Sequence, residues 1–175
     1  MQASPKIIIY HARQCDPKRC TGLKLERHGM ARLVNKMRFL PKRAIVLNPF
    51  SEIAFSPADR KRVENFGLVA LDCSWEHAKK VLLKHVKATS RCLPVLVAGN
   101  PINFGKATKL TTVEALAAAL YIAGFKQEAT ELLSIFTWGH TFMELNFTTL
   151  EKYASALDSA EIVKIQSSLR DMGKS

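Results

Sequence analysis

Asp72 and Ser74 stand where an apolar run, Gly67 to Cys73, gives way to a helical pattern. A carboxylate at the carboxyl end of a strand, beside the amide-rich start of a helix, is placed where α/β proteins bind ligands; there it can orient a substrate or accept a proton. A lone aspartate at such a point can equally be only a helix cap. Trp75 follows and Ala78 comes one turn on, so both can project from the same first turn toward one site. An indole holds a cationic ligand by dispersion and cation–π attraction, although tryptophan is also a common core residue.

The second chemistry-bearing stretch is Leu93 to Phe125, LPVLVAGNPINFGKATKLTTVEALAAALYIAGF. Its spacing predicts a strand at Val95 to Gly99, a Gly/Pro/Asn loop around Asn100, Pro101 and Gly105, and an Ala-rich helix from Thr112 to Ala123. Thr111 and Glu114 form a capping-box pattern, and Gly124 supplies the stop. A crevice at the carboxyl end of an apolar strand suits a small molecule. Other chemistries find no footing. The five histidines, His11, His28, His77, His85 and His140, form neither a zinc-deaminase nor an HExxH pattern, and neither a P-loop nor GxGxxG occurs. Cys15 and Cys20 give one C-x4-C pair without two further evident ligands, while Cys73 and Cys92 end apolar stretches as packed thiols do. No metal is expected.

The elements that must position these residues follow from hydrophobic patterning. Apolar runs at Lys6 to His11, Ala44 to Pro49 and Gly67 to Cys73, with Val95 to Gly99, are continuous rather than alternating, which predicts strands covered on both faces and a largely parallel sheet. Ser56-Pro57-Ala58-Asp59 reads as an N-cap with proline in the first turn, and Ser74 caps a helix running from about Trp75 to Val86. Beyond the GNP loop the chain turns helical, with further helices expected at Lys126 to Phe136, Thr149 to Ala156 and Ser159 to Arg170 and with WGHTFMELN as a connection.

A chain of 175 residues with 47% hydrophobic content can bury a real core as one compact domain or two tightly joined lobes. Neither a membrane-length apolar run nor a signal-peptide pattern is present, so a cytoplasmic protein is expected. The net charge of +11 is unevenly spread: residues 1–43 hold 11 of the 26 Lys/Arg and only 2 of the 15 Asp/Glu. That stripe, including Arg13, Lys18, Arg19, Lys24 and Arg27, suits phosphate contacts and steering toward RNA, and its clustering favours nucleic acid over an ordinary solvated face.

The ordered segments HARQCDPKRCTGLKL (11–25), LDCSW (71–75) and LPVLVAGNP (93–101) resemble the S-adenosylmethionine-dependent small-subunit rRNA aminocarboxypropyltransferases of archaea and eukaryotes, the chain being most similar to compact archaeal members. The resemblance covers about residues 6–150. It implies an N-terminal α/β, RNA-contacting region (1–92) and a SPOUT-like, trefoil-knotted, cofactor-binding C-terminal half (93–175). By the same likeness, cofactor contacts fall on Thr21, Leu71, Trp75, Ala78, Leu93, Thr108 and Thr112, and Asp72 with Trp75 lies at the reacting centre. Thr108 stands where relatives often have tyrosine, and Gly99 where alanine is frequent. The implied reaction moves the 3-amino-3-carboxypropyl group of S-adenosylmethionine to ring nitrogen 3 of a (1-methyl)pseudouridine in small-subunit rRNA or a pre-ribosomal particle, releasing methylthioadenosine. The expected protein is a monomer with no membrane partner. A SPOUT-type rRNA methyltransferase and a non-catalytic RNA-binding assembly factor are the alternatives.

Overall fold

The computed structural model describes residues 4–14, 16–74, 76–80 and 89–172. Five short strands form one sheet: β1 (Ile7–His11), β2 (Arg32–Val34), β3 (Ile45–Leu47), β4 (Leu68–Asp72) and β5 (Thr89–Arg91). They lie in the order β2-β1-β4-β3-β5, and every pairing is parallel, with Ile7 opposite Leu68 and His11 opposite Asp72 in the central pair.

Both faces are covered, as continuous apolar strands require. Ile9, Ile45, Leu47, Leu68 and Ala70 face the main core, while Ile8, Tyr10, Val46 and Val69 face a smaller cluster on the other side. The alternation within each strand is the two-residue period of the pleat. Crossovers run through α1 (Thr21–Arg27), α2 (Arg60–Phe66) and α3, helical over the described residues 76–80. Ser74 opens α3 as expected, its Oγ accepting from the His77 amide at 3.3 Å. Ser56 and Asp59 form a capping box on the 3-10 turn Pro57–Asp59 that leads into α2.

From Thr112 on, the described chain is mainly helical: α4 (Thr112–Ile122), α5 (Lys126–Ser134), α6 (Gly139–Ala154) and α7 (Ser159–Met172). From Val113 to Ile122 every α4 residue but Ala115 is buried, so α4 is a central core helix rather than a surface amphipath. Gly124, at φ 85°, ends the segment in the left-handed region that glycine tolerates.

Three expectations need correction. Val95 to Gly99 pairs with no strand of the sheet, and among the described residues only an isolated antiparallel bridge, Val97 to Ala107, involves it. Its backbone is satisfied by other groups. On one side Ala98 and Leu96 bond Gly105, Lys106 and Thr108; on the other, Val95 and Val97 bond the side chains of Gln166, Tyr153 and Asn146. Second, WGHTFMELN is no connection: all of it but Trp138 is the first half of α6, with Phe142 buried against Gly99 and Asn146 buried against Val97. A Cβ at Gly99 would lie 2.5 Å from the Phe142 amide nitrogen, so this close approach depends on glycine. Third, β2 and β5 were not among the expected strands, being three residues long and lacking continuous apolar runs.

Candidate active site

β3, β4 and β5 end together, and their carboxyl ends open on a pocket of about 350 Å³. One side is Leu47, Asn48, Pro49, Ala70, Leu71 and Cys73; Leu93, Pro94 and Leu96 form another, closed by Thr108, Leu110 and the start of α4. The volume falls within the range of small-molecule sites, and no Asp, Glu, Lys or Arg is among the lining residues. Of the cofactor residues expected from sequence, Leu71, Ala78, Leu93, Thr108 and Thr112 meet in this pocket. Trp75 lies outside the described residues, as does Cys15. Thr21 does not line the pocket; its Oγ1 accepts from the Val113 amide at 3.3 Å, tying α1 to the start of α4.

The pocket's far wall is held by a residue that its chemistry alone did not mark. Glu114 is fully buried, and its carboxylate accepts from the amides of Gly99 (2.7 Å), Asn100 (3.0 Å) and Thr111 (2.7 Å), from Asn100 Nδ2 (2.9 Å) and from Thr111 Oγ1 (2.9 Å). The capping box was legible from Thr111 and Glu114; the extra reach to the GNP loop was not. Thr108, in the same wall, has φ 62°, a conformation unusual for a β-branched residue.

Asp72 sits at the sheet edge beside this pocket, between two of its lining residues, Leu71 and Cys73. Its Oδ2 accepts from Cys20 Sγ at 3.0 Å and lies 3.5 Å from His11 Nε2. Cys20 is also the N-cap of α1, its sulfur accepting from the Leu23 amide. Glycine at position 22 allows this approach, since a Cβ there would lie 3.3 Å from Asp72 Oδ2. Burial, aided by the charge of Asp72, pushes the neighbouring Cys73 thiol up to about 11, which keeps it protonated and non-nucleophilic at neutral pH. His11, on the other side of Asp72, lines a second concavity of about 590 Å³ with Arg13, Glu26 and Arg32. Arg13, Lys18, Arg19 and Arg27 are exposed. Lys24 is half-buried: its ammonium donates to the Ile135 carbonyl at 2.6 Å and lies over the Phe136 ring, joining α1 to the end of α5.

His11, Cys20 and Asp72 bring nitrogen, sulfur and oxygen donors within 4.8 Å of one another, a set able to ligate a divalent ion. His140 is exposed, its Nε2 lying 3.5 Å from the hydroxyl of its neighbour Thr141.

Fold and site together define an α/β small-molecule-binding protein whose uncharged pocket opens beside a cationic surface. The model of the family described as "Ribosome biogenesis protein, C-terminal" matches residues 45–170. The 16S rRNA aminocarboxypropyltransferase of Methanosarcina acetivorans is 50% identical over 163 residues, 92% of each chain. That of Methanocaldococcus jannaschii is 48% identical over 95% of this chain and 96% of its own. The solved SAM-dependent rRNA:acp-transferase Tsr3 from Vulcanisaeta distributa superposes with a TM-score of 0.83 at 38% identity, covering 95% of this chain and 98% of that one. The chain belongs to the 16S rRNA aminocarboxypropyltransferase family. A second model, "Possible Fer4-like domain in RNase L inhibitor, RLI", matches residues 5–38. A ferredoxin-type cluster takes four thiolates, and this stretch has two cysteines, Cys15 and Cys20, so it lacks the ligands for a cluster of that type.

Proposed function

We infer that this protein is an S-adenosylmethionine-dependent aminocarboxypropyltransferase acting on small-subunit rRNA in ribosome biogenesis. The observation that carries the reading is the uncharged pocket at the carboxyl ends of β3, β4 and β5, within a chain aligned nearly end to end with enzymes of that name. The donor set suits this cofactor. Apolar side chains offer faces for an adenine, and Thr108, Thr111, Thr112 and Asn48 offer hydroxyl, amide and main-chain partners. Leu71, Ala78, Leu93, Thr108 and Thr112 would hold it.

When bound, S-adenosylmethionine supplies a three-carbon electrophile and leaves as methylthioadenosine. A sulfonium has three electrophilic carbons, so the outcome is decided by which one is held in line with the nucleophile. Ala78, which lines the pocket, and by family likeness Trp75 would hold the methyl end of the sulfonium, leaving the propyl chain to the RNA. We assign ring nitrogen 3 of a (1-methyl)pseudouridine as the nucleophile and Asp72 as the group that accepts its proton or orients the base. The carboxylate is supported for this task by Cys20, which fixes Oδ2, and by His11, which stands toward the basic concavity through which RNA would approach. Arg13, Lys18, Arg19 and Arg27 contact phosphate, while Lys24 chiefly braces α1.

We further propose that the enzyme works as a cytoplasmic monomer, that its RNA-contacting half ends near residue 92, and that the C-terminal half carries a SPOUT-like trefoil knot. No described helix is long and apolar enough to cross a membrane. A crystal structure whose chain leaves residues 93–172 unthreaded would contradict the knot. Product analysis tests the reaction: methylthioadenosine is expected, whereas S-adenosylhomocysteine would reassign the protein as a methyltransferase.

A further inference from the structure

We propose that the loop of residues 101–109 is a nucleobase-stacking platform for the substrate RNA, with Phe104 as the stacking face, Ile102 beside it, and Lys106 and Lys109 as its phosphate contacts. The proposal rests on the reading that RNA is the substrate, and it places a second RNA-binding element far in sequence from the N-terminal basic stripe.

The first observation is exposure. Ile102 is 67% and Phe104 59% accessible, although the loop comes directly off a buried segment. Large apolar side chains left in water two residues apart on a tight loop gain nothing for folding. Two side chains alone offer less apolar area than a stable protein interface takes.

The second observation is that the loop is built rather than slack. Its base is fixed by Asn100, whose side chain donates to Glu114 and to the Lys109 carbonyl and accepts from the Asn103 amide. Backbone bonds from Gly105 to the Ala98 carbonyl and from Ala98 to the Lys106 carbonyl close the neck, and Gly105 turns the chain at φ 76°. A phenyl ring on such a loop is held out at small conformational cost, the condition under which an aromatic works as a binding surface.

Charge and position select the occupant. No acidic residue occurs from Ala98 to Val113, and no ion pair among the described residues engages Lys106 or Lys109. An exposed aromatic flanked by free ammonium groups is the chemistry of single-strand binding, in which a base stacks and adjacent phosphates are neutralised. The same loop returns through Thr108, which with Leu110 just beyond it lines the cofactor pocket, so a base on Phe104 would belong to a nucleotide near the one that reacts. The target base must leave its stack to reach an electrophile in a pocket, and a stacking surface for a neighbour offsets that loss.

The test uses a fluorescently labelled single-stranded fragment of small-subunit rRNA, titrated without cofactor. Phe104→Ala is expected to weaken binding about tenfold, within the range for one lost base stack, while leaving the salt slope and the S-adenosylmethionine affinity unchanged. Lys106→Gln and Lys109→Gln should each make the salt slope shallower by about 0.7. Phe104→Trp should keep the affinity, and its added indole emission should be quenched as RNA binds. Unchanged RNA affinity in Phe104→Ala, or an emission indifferent to RNA in Phe104→Trp, overturns the proposal. Should the parent bind RNA through Phe104 yet transfer no aminocarboxypropyl group, the platform stands and the assigned reaction falls.

Discussion

Asp72 is restrained from two sides, by the Cys20 thiol and by His11, and this restraint sets what its replacement should do. Asp72→Asn keeps the shape of the side chain but removes the proposed proton acceptor, so transfer should fall by about two orders of magnitude at neutral pH, the scale of general-base assistance. Cofactor affinity should be retained, and part of the loss should return as pH rises and the ring nitrogen deprotonates unaided. Near-normal single-turnover transfer by the Asn variant would leave Asp72 only a structural role. Cys73, next in sequence, gives a second check through its pH dependence. A thiol with its titration pushed up to about 11 has about one thiolate in a thousand at pH 8. Mass-spectrometric alkylation of Cys73 should therefore be slow at pH 8 and accelerate only toward pH 11; labelling as fast as a free cysteine would contradict the burial. Asp72 stands out in the sequence because an acid falls there at the junction of a strand and a helix. Its partners do not. Cys20 lies 52 positions away, and only the parallel pairing of β1 with β4 brings the start of α1 to it.

At the level of elements, the segment 95–100 carries the account, because it joins the sheet half of the chain to the helices without joining the sheet. Glu114 fixes its end with five donors, and losing such an acceptor leaves buried amides unsatisfied. Glu114→Ala should cost about 3 kcal/mol or more of unfolding free energy in urea and should weaken cofactor binding by loosening the pocket wall. A loss below about 1 kcal/mol would show that the loop is held by something else. The helix start at Thr112 can be tested sterically: Thr112→Trp, if folded by circular dichroism, should abolish calorimetric binding of S-adenosylmethionine. Local signals read well here. The capping box, the Gly124 stop and the parallel apolar strands all arise from residues within a few positions of one another. The apolar run 95–99 misled because its backbone partners are Asn146, Tyr153 and Gln166, 49 to 71 positions away on α6 and α7. Side-chain amides and a phenol standing in for a neighbouring strand leave no periodic trace. The same bonds explain why WGHTFMELN, polar enough to read as a connection, is helix: Phe142 and Asn146 are on the face that covers this segment.

For the whole molecule, charge and pocket are separable. The excess positive charge sits in the first quarter of the chain, whereas the lining of the pocket is uncharged. Lys18→Glu with Arg19→Glu should therefore weaken RNA binding and flatten its salt dependence by about 0.7 per lost contact, without altering S-adenosylmethionine affinity. Loss of both ligands together would mean damaged geometry, and loss of neither would mean a merely solvated surface. The central claim is that the three-carbon chain, and not the methyl group, goes to the RNA. It is tested most directly by supplying small-subunit rRNA and S-adenosylmethionine carrying one isotope in the carboxypropyl chain and another in the methyl. The account predicts that the RNA retains the carboxypropyl label alone while the methyl label leaves in methylthioadenosine; methyl label in the RNA, or neither label there, would contradict it.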